Sequence, residues 1–73
     1  MKLVQTYTGV VLKFREPPEQ SEVEITEQGS GKTVKSGADS DKLVEKGIKE
    51  GDKFKIEVYQ MEDRKTIGEM TKI

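Results

Sequence analysis

The run Gly29-Ser30-Gly31-Lys32-Thr33 is the first place where residue types and spacing suggest chemistry. A glycine-rich turn that ends Gly-Lys-Thr can cradle phosphate with its backbone N–H groups and place the lysine on the outer phosphates. Such a loop needs a small residue at position 26, where Thr26 stands. It also needs a helix directly behind it, whose N-terminus faces the anion. Val34-Lys35-Ser36-Gly37 reads instead as a strand cut short, so a hairpin turn is expected here. The carboxylate pairs Glu22 with Glu24 and Glu62 with Asp63 could work as acid and base only in a cleft that drives their pKa values apart. A chain of 73 residues has little room for one. With no Cys and no His, the chain has no disulfide, no thiolate or ordinary zinc site and no imidazole relay. These features argue against an enzyme, a bound metal or a cofactor.

One surface constellation remains. Tyr7, Lys13 and Arg15 lie on one alternating segment, and Lys53, Lys55 and Tyr59 on another. If the two segments are neighbouring antiparallel strands, their outward faces bring four cations beside two aromatic rings. Cations can hold phosphate while rings stack on bases. Glu57 and Val11 sit among them, and exposed strands commonly carry Lys and Tyr.

The elements that must position these residues follow from period-2 alternation. Residues 2–15 read as one long strand, with Val4, Thr6, Thr8, Val10, Leu12 and Phe14 on one face and Tyr7, Val11, Lys13 and Arg15 on the other. Gly9 suits a bend or bulge. Pro17-Pro18 ends the strand, since neither residue can donate to a ladder. Residues 21–27 alternate again, with Val23 and Ile25 inward, and a short strand is expected around Lys32–Ser36. Asp39 or Ser40 can cap a short helix in which Leu43 and Val44 face inward. Gly47 stands where a left-handed residue ends such a helix, and Ile48 can pack back on it. After Glu50-Gly51-Asp52 turns the chain, Phe54, Ile56 and Val58 point one way and Lys53, Lys55, Glu57 and Tyr59 the other. A last strand runs from Thr66 to Ile73, with Gly68 as a second candidate bulge.

The order is β-β-β-α-β-β in one domain spanning residues 1–73. It predicts a mostly β fold, a small five-stranded OB-like or cradle-loop β-barrel with one short helix. Fifteen side chains are expected in its core: Val4, Val10, Leu12, Phe14, Val23, Ile25, Val34, Leu43, Val44, Ile48, Phe54, Ile56, Val58, Ile67 and Met70. A core of that size leaves a thin margin of stability, which a homodimer would widen.

The element helix–Gly47-Ile48-Lys49-Glu50-Gly51-Asp52–strand resembles one shared by several small-barrel families. It is similar to the second half of AbrB-type swapped-hairpin transcription factors, to the matching region of molybdate-binding Mop or TOBE domains, and to OB-fold proteins of the initiation-factor-one type. The likeness covers about 20 residues and implies a small barrel. The AbrB likeness would imply a DNA-binding dimer; Gly31-Lys32 keeps that pattern's glycine and basic residue without its proline. The Mop likeness would imply oxyanion binding, but Val4-Gln5-Thr6-Tyr7 and Val58-Tyr59-Gln60 stand where its ligand residues would.

Lys and Arg total 13 against 14 Asp and Glu, with a formal net charge of −1, which disfavours strong nonspecific binding to nucleic acid. Abundant Lys and Glu with no Asn or Trp resembles the composition of heat-adapted proteins. No stretch approaches the ~20 apolar residues of a membrane span, and the first residues lack a secretory apolar run, so a cytoplasmic protein is expected. The function expected from these readings is a non-catalytic interaction module that contacts another protein or a second copy of itself. Nucleic-acid binding through Tyr7, Lys13, Arg15, Lys53, Lys55 and Tyr59 is the alternative. An exposed edge on the last strand or the first, helped by Val11, Tyr7 and Met61, would serve protein contact.

Overall fold

The computed structural model describes all of residues 1–73. Five strands and one helix follow in the expected order: β1 (Lys2–Lys13), β2 (Gln20–Glu27), β3 (Thr33–Asp39), α1 (Ser40–Glu45), β4 (Lys53–Gln60) and β5 (Thr66–Lys72). All four ladders are antiparallel and form a single sheet in the order β3-β2-β1-β4-β5. The sheet is open. β3 and β5 are its edges, and no ladder joins them into a closed barrel.

The core gathers on one face, at one end of the sheet. Val11, Val23, Leu43, Ile48 and Phe54 are fully buried, with Phe14, Ile25, Ala38, Ile56 and Met70 packed around them. Gly9 opposes Phe54 across the β1–β4 ladder, and the Phe54 ring lies over it. A methyl at Gly9 would come within 2.6 Å of Phe54 Cε2 and closer still to Cζ. Gly9 therefore provides the space in which the aromatic ring seats, rather than the bend or bulge its type suggests.

The bulges fall elsewhere. Register shifts between Leu3 and Gln5 against β4, and between Val11 and Lys13 against β2. Each adds one residue and switches which side chains face the core. Between them the odd positions of β1 turn inward, so Val11 is 1% exposed while Leu12 is 42% exposed. This corrects the expected face of β1: Val4 and Leu12 lie outside the core, and Val11 inside it. Past the second bulge the phase switches again, and Phe14 returns to the core. Gly68 causes no register shift.

α1 is a single short turn of helix held by its ends. Asp39 caps it, accepting a hydrogen bond from Asp41 N at 3.2 Å. Gly47 adopts φ 70°. Gly47 N donates to Val44 O and Ile48 N to Leu43 O at 2.8 Å, the paired bonds of a Schellman closure with its apolar contact between Leu43 and Ile48. Ser40 and Leu43, three residues apart, form the helix's inner face; Val44, expected inside, lies off that face and is exposed. Val34 and Ile67, also expected inside, lie exposed on the two edge strands. Ser40 is not the cap. Its hydroxyl is buried against that of Ser21, Oγ to Oγ 2.7 Å, and Ser21 Oγ also accepts from Arg15 N at 3.0 Å.

The turn into β4 is pinned to β1 and β5. Gly51, at φ 85°, donates from its N to Val11 O, and Val11 N donates to Asp52 O. The Asp52 carboxylate accepts from Lys49 N at 2.9 Å and pairs with Lys72 Nζ at 3.3 Å. The Lys49 bond, with help from Lys72, holds the Asp52 carboxyl below its ordinary value of 3.8.

Gly9→Ala should lower stability by about 1–3 kcal/mol because Phe54 must leave its seat. Gly68→Ala, whose new methyl would meet only Ile56 Cγ2 at 3.7 Å, should stay within about 0.5 kcal/mol of wild type; urea denaturation checks both. The depressed Asp52 pKa means its contribution is present above the ordinary value and is lost as pH falls below it. Asp52→Asn should therefore be less stable than wild type at neutral pH and show a shallower acid decline, read from thermal midpoints between pH 7 and 3.

Candidate interaction surfaces

β1 and β4 are neighbours and antiparallel, as the constellation of cations and aromatics requires. Cross-strand register decides which of its members meet. Paired residues in a ladder share a face. Tyr7 pairs with Ile56, on the core side, whereas Lys53, Lys55 and Tyr59 project from the opposite, outer side. Lys13, past the second bulge, joins that outer side through its partner Glu22. Arg15 lies beyond β1, where Nη2 pairs with Glu22 Oε1 at 3.1 Å. The structure thus unites Lys13, Lys53, Lys55 and Tyr59 on one face and separates Tyr7 from them.

That face carries charges of both signs. Lys55 Nζ is 3.6 Å from Glu57 Oε1. Glu24 pairs with Lys35 across β2 and β3, and Glu57 with Glu69 across β4 and β5. Tyr59 is half-buried, and its desolvation, with Glu57 and Glu69 alongside, raises the phenol pKa above 10.0. The phenol stays a neutral hydrogen-bonding group at physiological pH. Across the middle of the face runs a row of small hydroxyls: Thr33, Thr26, Thr8 and, beyond Lys55, Thr71. Thr26 and Thr33 are hydrogen-bonded Oγ1 to Oγ1 at 2.8 Å.

An apolar patch lies at one end of the same face. Leu3 pairs with Tyr59, and Tyr59 with Ile67, forming one cross-strand row at the end away from the core. Met1 and Met61 are exposed beside it. Alternation in the sequence could have placed Tyr59 and Ile67 together once the β4–β5 hairpin was drawn. Leu3 could not be placed, because the bulge after it reverses its face.

The sheet edges complete the picture. β1 is central, and its middle from Tyr7 to Val10 is paired on both sides, while Lys2–Gln5 pair with β4 alone; Val11, expected to help at an edge, is buried. β5 is an edge, as expected, and Met61 is exposed. Beside β5, a channel of about 470 Å³ separates Gly68, Met70 and Thr71 from the Lys42–Lys46 side of α1. No helix is long and apolar enough to cross a membrane.

No protein-family model, curated protein or solved structure matches this chain.

Proposed function

We propose that this chain is a non-catalytic, cytoplasmic β-sheet interaction module that works by contacting another protein surface, a second copy of itself included. The observation that carries this reading is its unburied surface. The folded chain exposes 5199 Å², where a compact monomer of its mass would expose about 4,500 Å². The excess of roughly 700 Å² approaches the ~800 Å² that each partner contributes to a standard protein interface. Only five apolar side chains are fully buried, while Leu3, Val4, Leu12, Val34 and Ile67 stay outside.

The strand order, with α1 between β3 and β4, supports reading the sheet as an OB-like barrel left open between β3 and β5. An open sheet offers backbone N–H and C=O groups that a partner strand can take up. Nucleic-acid binding has less support, because Glu22, Glu24, Glu57 and Glu69 interleave with the outer lysines and would repel phosphate.

Sedimentation velocity over a range of concentrations tests the reading, with fluorescence titration against short DNA and RNA at low salt beside it. The expected result is an apparent mass above 8.2 kDa that rises with concentration, and no oligonucleotide binding. A strict monomer that also binds single strands at low salt would replace this reading with the nucleic-acid one.

A further inference from the structure

The reading above leaves open which surface is used and by what. We propose that the free edge of β5 is the contact, and that its occupant is β5 of a second copy, paired antiparallel about a twofold axis through Met70. This proposal rests on the protein-contact reading.

Hydrogen bonding sets which groups are free. Ile73 N donates to Lys53 O at 3.1 Å and Met61 N to Lys65 O at 2.7 Å. Inward bonding alternates along an antiparallel ladder, so the odd residues of β5 bond β4. Gly68, Met70 and Lys72 therefore direct their N–H and C=O groups to the open side. An axis through Met70 sets these three against Lys72, Met70 and Gly68 of the second copy, so the outward groups of all three meet their complements.

Side chains agree with that register. It places Ile67 opposite the second copy's Ile73 on the outer face, twice by symmetry. Ile67 is 41% and Ile73 71% exposed in the single chain. These two would form non-hydrogen-bonded pairs, in which side chains approach most closely. Each pair also extends the Leu3–Tyr59–Ile67 row across the junction. Glu69 meets Thr71, and no like charges oppose. Moving the axis to Glu69 would set two carboxylates against each other, and moving it to Thr71 would set Glu69 against Ile73.

Lys72 is the residue best able to blunt this edge. Its Nζ is drawn to Asp52 Oδ2, 3.3 Å away. The other edge is less suited. β3 runs directly into α1, and Asp39 at its end is committed to capping the helix. Val34 is its only large exposed apolar side chain, so β3 paired on itself could bring together at most one apolar pair, with the axis through Val34, against two for β5.

Sedimentation equilibrium on wild type, Ile67→Glu, Ile73→Lys and the double variant tests the proposal, with amide NMR spectra confirming that each retains the sheet. Each single substitution should weaken the dimer roughly tenfold or more. The double variant should regain most of that loss, because the introduced carboxylate and ammonium face each other across the axis. In this cysteine-free chain, Met70→Cys should oxidise to a covalent dimer, since directly opposed residues of a ladder lie within disulfide reach. A dimer that both single variants leave intact, or one that Ser36→Cys on β3 traps and Met70→Cys does not, overturns the β5 assignment and leaves the protein-contact reading standing. A wild-type chain that is monomeric throughout overturns this assignment on its own.

Discussion

The seating of Phe54 over Gly9 is the constraint on which the rest of the molecule depends. An aromatic ring can lie flat on a strand only where the opposing residue lacks a side chain, and Gly9 is that residue in the central strand. Once the ring is there, the core face of β1 is decided from Gln5 to Val11. Val11 then meets Val23, and Leu43 and Ile48 close over them from the short helix and its turn. The two bulges follow from the same arrangement. They let one long strand keep its core face around Gly9 while its two ends serve different neighbours.

Polar groups reinforce the same end. The Ser21 and Ser40 hydroxyls are wholly buried, yet they bond each other and the backbone at Arg15, so no desolvated group is left unmatched. This small network joins β2, the segment after β1, and the start of α1. The Asp52 carboxylate performs a comparable task on the solvent side, linking the turn into β4 with the end of β5.

Much of this was legible in the residues. Lys53–Tyr59 alternates without interruption, and its strand, inner face and outer face are as read. Gly47-Ile48 announces the helix end, and Gly29 and Gly31, both at positive φ, turn the β2–β3 hairpin that the phosphate-loop motif imitates. β1 defeated the same logic. Val10-Val11-Leu12 is a continuous apolar run, and alternation cannot choose a face for it without knowing that a bulge lies at Leu12. That one ambiguity placed Val11 outside, Leu12 inside, and Tyr7 on the wrong side of the sheet to join Lys55 and Tyr59. Closure was also beyond reach. Alternation shows that strands have two faces, but not whether the first and last edges find each other.

The core's position at one end of a body 36 Å long divides the molecule into a firm base and an arm made of β1's beginning and the β4–β5 hairpin. Leu3, Tyr59 and Ile67 lie outside the buried cluster around Phe54, so the arm has few core contacts to hold it rigid. Its residues are released from the jigsaw demands that fix the base. Drift in sequence can therefore remodel what this end touches while the scaffold below persists unchanged, much as a handle tolerates many different blades.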